Sequence, residues 1–161
     1  MKEIEELKEF IEEGRVQRDQ ADRIGNLIKS NLGSFSKEIF EEGNAKTLVL
    51  LSQVMGRYLK EKGVTSSQIR NIFGYVKRID MGIDSKSTAL DASTLKKLYL
   101  LSPKLAYVIG RNGRNVGTAL TVLKELFDKS IEKVGNNKEK FKTFMDLFES
   151  ILSYHKFYGG K

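Results

Sequence analysis

Gly63-Val64-Thr65-Ser66-Ser67-Gln68-Ile69-Arg70-Asn71-Ile72-Phe73-Gly74-Tyr75-Val76-Lys77-Arg78-Ile79 is the stretch from which the fold of this 161-residue chain is read. Thr65 followed three residues later by Gln68 has the spacing of a capping box, in which each of the two side chains takes a backbone N–H that a helix start leaves unbonded. Behind it Ile69, Ile72, Phe73 and Val76 recur at three- and four-residue steps. That is the period of one helix face, not the alternation of a strand. Gly63-Val64 closes whatever precedes, so a helix is expected from Ser66 to about Ile79, entered through a tight turn.

The same signals extend in both directions. Upstream, Asn44 can cap a helix to Lys62 with Leu48, Leu51, Met55, Tyr58 and Leu59 inward. Before it the pattern predicts helices over Lys2–Glu13, with Ile4, Leu7, Phe10 and Ile11 inward, and over Gln17–Asn31, ended by Gly33. A short amphipathic piece with Ile39 and Phe40 follows, from Ser36 to near Gly43. Downstream, Met81 to Ala89 reads as a polar loop, and Asp91 or Ser93 caps a helix with Leu95, Leu98, Tyr99 and Leu101 inward. Ser102-Pro103 either kinks that helix or restarts it with proline at the first helical position. Arg111 to Asn115 reads as a turn, and helices over Val116–Val134 and Lys138–Phe157, separated by Gly135-Asn136-Asn137, complete the chain. No strand pattern competes. The fold class is all-α, a single-domain bundle of about five to seven helices spanning 1–161. Within it 1–45 is an acidic N-terminal segment and 46–161 a basic core bundle. The N-terminal segment can pack on its own core or be exchanged with a neighbouring copy in a homodimer.

Composition narrows the chemistry. With 40% hydrophobic residues the chain has enough apolar surface for a core. No window approaches the roughly 20 apolar residues of a membrane span, and the charged start Met1-Lys2-Glu3-Ile4-Glu5-Glu6 lacks the apolar centre of a signal peptide. A cytoplasmic protein without a membrane partner is expected. The absence of cysteine removes disulfides, thiolate metal sites and a cysteine nucleophile. The one histidine, His155, falls on the apolar stripe of the last helix with Phe141, Phe144, Phe148 and Leu152, where a packed, hydrogen-bonded role is expected. Glu3, Glu5, Glu6 and Glu9 form a solvated helix face. Gly110, Gly113 and Gly117 have neither the Gly-Lys-Ser/Thr ending nor the preceding strand of a phosphate loop. No catalytic residue, metal or cofactor is expected, and the chain does not read as an enzyme.

The charge is unevenly spread. Residues 1–45 carry 7 basic and 11 acidic side chains, a net of −4; residues 46–116 carry 13 and 4, a net of +9; the remainder carries 8 and 6, a net of +2. A basic middle between an acidic start and a balanced end suggests a surface that meets a polyanion. Its cations recur at helical spacing: Lys46, Gln53, Arg57 and Lys60 on one helix, Arg70 and Lys77 with Arg78 adjacent on the next, then Lys97, Lys104 and Arg111. Which polyanion stays open at this point. Helix, turn and a helix beginning with Gln68, Arg70 and Asn71 also resembles a DNA-reading helix-turn-helix, which would make the chain a DNA-binding regulator. A purely structural helical adaptor is the third reading.

Three segments together resemble one family: 65–79, TSSQIRNIFGYVKRI; 100–111, LLSPKLAYVIGR; and 144–160, FMDLFESILSYHKFYGG. In this order they are similar to the small helical subunit of type III-A CRISPR effector (Csm) complexes, over roughly the C-terminal two thirds of the chain. The resemblance implies a noncatalytic subunit in antiviral defence that stacks beside the backbone subunits holding the guide RNA and helps to wall a channel for the guide–target duplex. Target RNA cleavage would then belong to the backbone subunits, and DNA cleavage and cyclic oligoadenylate synthesis to the large subunit. Implied partners are guide RNA, target RNA and the other Csm subunits. On this basis RNA contact is expected at Gln68, Arg70, Lys77, Arg78, Lys104 and Arg111, with Arg57 and Lys60 added on charge alone. Tyr107 reads as core packing, with base stacking the lesser reading, and Phe148, Ile151 and His155 as structural.

Overall fold

Side-chain caps mark four of the helix starts. In the computed structural model, which describes residues 2–161, Thr65 Oγ1 accepts from the Gln68 amide at 3.2 Å and Gln68 Oε1 accepts from the Thr65 amide at 2.9 Å. This completes the capping box of a helix over Ser66–Met81. Asn44, Asp91 and Asn137 accept from the amides of Thr47, Thr94 and Lys140, and so start helices over Ala45–Glu61, Ala92–Tyr99 and Lys138–Phe157. Each such cap stabilises its helix by about 1 kcal/mol.

In chain order the α-helical segments are α1 (Lys2–Glu12), α2 (Arg18–Ser30), α3 (Leu32–Ser36), α4 (Ala45–Glu61), α5 (Ser66–Met81), α6 (Ala92–Tyr99), α7 (Leu101–Arg111), α8 (Arg114–Val134) and α9 (Lys138–Phe157). A π-helical turn over Lys37–Glu41 continues α3. The all-α class holds among the described residues, with more segments than the five to seven expected. Two boundaries differ in detail from the expectation. Asn31 closes α2 and starts α3, so Gly33 lies inside a helix and does not end one. Leu100 separates α6 from α7, which places Pro103 in the first turn of a restarted helix but two residues later than the first position. The turn expected over Arg111–Asn115 is only Asn112-Gly113, because α8 begins at Arg114.

The core runs from Leu7 in α1 to Ile151 in α9. α4 lies along α9, which also meets α5 and α8; α1 and α2 cover α4, and α7 lies along α8. The acidic N-terminal helices therefore sit on this chain's own α4 and α8, with Leu7, Phe10, Ile24 and Ile28 buried. At the centre Phe127 meets Phe144 and Phe148 edge-on at 5.2 and 4.7 Å, and Phe73 meets Phe148 at 5.3 Å. α4 and α9 approach closely at Gly56, where a Cβ would stand 2.7 Å from the His155 backbone nitrogen and 3.0 Å from the Ile151 carbonyl. Tyr99, expected inward, is exposed at the end of α6, where the adjacent Leu98 takes the core position.

His155 is fully buried, with Nε2 2.8 Å from the Val64 carbonyl. A carbonyl only accepts, so Nε2 carries the proton and Nδ1 is bare, without a hydrogen-bond partner. Burial holds the imidazole below its ordinary 6.5; the Val64 bond partly opposes this and Lys156 adds to it. Gly160 lies against the ring, too close for any side chain, and its carbonyl accepts from Ser66 Oγ. His155 is thus a structural residue joining α9, the turn before α5 and the C-terminal segment.

Candidate nucleic-acid interface

A helix face that carries Arg70, Gly74 and Arg78 at four-residue steps forms a continuous column, and the glycine in the middle leaves it hollow. α7 and the residue before it carry the complementary column: Leu100, Lys104, Tyr107 and Arg111 follow at steps of four, three and four. Between them lies an open groove of about 860 Å³. Gln68, Arg70, Asn71, Tyr75 and Arg78 line it from α5, and Pro103, Lys104, Tyr107, Val108 and Arg111 from α7. It contains four cationic side chains and no aspartate or glutamate.

Three of these cations, Arg78, Lys104 and Arg111, lie beside aromatic rings. Lys104 Nζ lies 4.2 Å from the centroid of the Tyr75 ring and the Arg78 guanidinium 4.9 Å from it. Arg111 lies 5.6 Å from the centroid of Tyr107. Some cations elsewhere are instead paired with carboxylates, as in Arg23–Glu6 at 2.7 Å, Lys124–Asp128 at 2.9 Å and Lys133–Glu41 at 3.3 Å. Tyr75 was not singled out from the sequence, although its position three residues before Arg78 is a legible signal for such a pair.

Of the eight residues expected at an RNA surface, the groove brings together Gln68, Arg70, Arg78, Lys104 and Arg111. Gln68 is already engaged, because Oε1 serves the capping box and Nε2 donates to Asn112 Oδ1 at 2.8 Å. Lys77 is exposed one column further round, 5.7 Å from the Phe73 ring centroid. Lys60 is half-buried near the far end of α4, paired with Glu61 at 3.1 Å. Lys97 lies on α6, separated from Lys104 and Arg111 by the break at Leu100.

Arg57 requires a correction. It is only 5% exposed, and its guanidinium points inward to the end of α1. Nη1 donates to the Phe10 carbonyl at 2.7 Å and Nη2 to that of Gly14 at 3.4 Å, while the rings of Phe10 and Tyr158 flank it at 5.4 and 5.3 Å. α1 has no basic residue in its own last turn. Arg57 takes that place from α4, satisfying carbonyls that a helix end leaves open. A side chain so enclosed cannot reach a phosphate.

Among the described residues no cluster of three or more His, Asp or Glu could hold a metal ion, and no helix is long and apolar enough to cross a membrane. The fold and the groove define an all-helical protein with one acid-free, cationic concave face. The family model described as Csm2 Type III-A matches residues 42–161, which include both walls of that groove. A protein of Enterococcus italicus described as "CRISPR system Cms protein Csm2" is 28% identical over 139 residues, covering 84% of this chain and 93% of the relative. The chain belongs to the Csm2 type III-A family and is a small subunit of a type III-A CRISPR complex, associating with other Csm subunits.

Proposed function

We propose that this chain, acting as a single helical domain, grips the phosphate backbone of RNA in the α5–α7 groove and contributes no catalysis of its own. The observation that carries the reading is the set of Arg70, Arg78, Lys104 and Arg111 facing one concavity without an acidic neighbour. Cations so grouped release condensed counterions when phosphates replace them, which gives affinity without sequence preference. In a guide-directed complex base pairing reads the sequence, and charge and shape suffice for the protein. The target strand and the guide–target duplex are the proposed ligands. Stacking beside backbone subunits would extend the groove along the channel.

Engagement of Gln68 in the cap and with Asn112 favours this reading over a helix-turn-helix regulator, which would need that side chain on a base edge. The test is RNA binding as a function of salt, measured for the full chain and for Arg70→Ala and Lys104→Ala. Each variant should weaken binding to unrelated RNA sequences alike and lower the salt slope by about 0.7 per lost contact on single strands. Affinity that ignores salt would refute the proposal. A preference of on the order of a thousandfold for one DNA duplex would support the regulator instead.

A further inference from the structure

The groove is not only cationic. Its α7 wall and floor present apolar surface to water: Tyr107 is 67% exposed and Leu100 43%, with Pro103 and Val108 beside them. Surface tyrosines of this exposure are unremarkable singly, but this one stands inside a concavity ringed by four cations. A backbone track of phosphate and sugar would leave that apolar surface wet, whereas the face of a nucleobase would cover it. The groove volume of about 860 Å³ falls within the range of roughly 300–1,000 Å³ typical of pockets that enclose a small molecule. Asn71, exposed at the groove edge, makes no side-chain hydrogen bond among the described residues and offers both a donor and an acceptor to a base edge. Bases inside an A-form helix present neither their faces nor their pairing edges to such a site, so the base must come from an unstacked nucleotide.

We infer that the α5–α7 groove seats one unstacked nucleotide of an RNA strand, its base against Tyr107 and its flanking phosphates on Lys104 and Arg111. This rests on the phosphate-grip reading and adds a ligand class to it. Duplex RNA is held at the rim by charge, and a nucleotide out of the stack enters the groove. Tyr107 then contributes only where an unpaired base exists.

The experiment compares the full chain and its variants on a single-stranded RNA of about 12 nucleotides carrying 2-aminopurine, and on the same strand annealed to its complement. Anisotropy gives affinity, and 2-aminopurine quenching reports stacking. Tyr107→Ala should weaken single-strand binding roughly tenfold and abolish the quenching, with duplex binding changed by less than about twofold. Tyr107→Phe should restore both, and Tyr107→Leu, which keeps apolar bulk without a π face, should behave as Ala. Melting by circular dichroism should be unaltered, since the ring is exposed. Equal loss on both RNAs, or no loss on the single strand, overturns the inference. Lys104→Ala separates the two claims. If it weakens both RNAs while Tyr107→Ala weakens neither, the phosphate grip stands and this inference falls. If it weakens neither, or if the chain binds no RNA, both fall.

Discussion

Replacing Arg57 by alanine is expected to unfasten the N-terminal helix and to leave RNA binding intact in the folded protein. The guanidinium makes one short charge-assisted bond to the Phe10 carbonyl at 2.7 Å and a longer one to Gly14 at 3.4 Å. Loss of the short bond, with a buried carbonyl left open, costs about 1.5–3 kcal/mol. Loss of the contacts to Phe10 and Tyr158 adds about 0.5–2 kcal/mol. The Nε–Glu61 pair at 3.7 Å adds little, since Nε has no hydrogen-bond partner. The sum, about 2–5 kcal/mol, is a large share of the roughly 5–15 kcal/mol that stabilise a typical domain. At about 2–4 °C per kcal/mol the melting midpoint should fall by about 10 °C. Hydrogen exchange should locate the damage: amides of α1 lose protection first, ahead of those in α4 and α9. Arg57→Lys, with a single point charge in place of the planar fork, should recover less than half of the loss. An Arg57→Ala protein that melts at the parental temperature and binds RNA several-fold more weakly would refute the buried-clamp assignment.

Other expectations follow from the same contacts. Gly56→Ala should lower the urea midpoint by an amount corresponding to about 1–3 kcal/mol, because the added carbon meets the backbone of α9, which can yield only by separating the two helices. Thr65→Ala should cost about 1 kcal/mol in the same assay through loss of the cap. Gln68→Ala should do likewise without a change in RNA salt slope, and a slope lowered as far as in Arg70→Ala would return Gln68 to the phosphate-contacting set. For His155 the folded state disfavours the proton, so the unfolded chain binds more protons as pH falls through 6.5. Stability should therefore be fully present above that pH and decline below it until the folded imidazole also protonates. His155→Gln, which can keep a donor to Val64, should flatten the decline in urea titrations at pH 7.0 and 5.5 relative to the parent.

Local chemistry explains what could be read in advance. A cap and the three-to-four-residue period are contained within a dozen residues, which is why α4 and α5 start where Asn44 and Thr65 indicate. The end of a helix at Asn31 was legible, but its immediate restart at Leu32 escaped that reading because the cause is tertiary. Phe35, Ile39 and Phe40 all turn into the core, and the π-helical turn brings them there without an obvious breaker residue. Arg57 was misplaced for a similar reason. Its spacing from Lys46 and Lys60 sets its column on α4 but says nothing about α1 arriving on that column and closing over it. The groove was half visible. Lys104 and Arg111 at seven residues specify one wall and Arg70 and Arg78 the other, but only the packing of α7 beside α5 makes the two walls face each other. Tyr75 gains its role from that meeting, since one of its two cations comes from each helix.

On the proposed phosphate grip, the resting state of those cations bears on how quickly a strand would come and go. A lysine paired with a carboxylate must exchange one anion for another before it can hold a phosphate, and the abandoned carboxylate then repels the newcomer. Lys104 and Arg78 rest on the Tyr75 ring, which has no net charge. They can keep that neighbour while accepting a phosphate on the solvent side. Capture then requires little rearrangement, and release leaves no competing partner to re-form. Such a surface would suit the proposed role, in which a strand is admitted, inspected through its guide and let go.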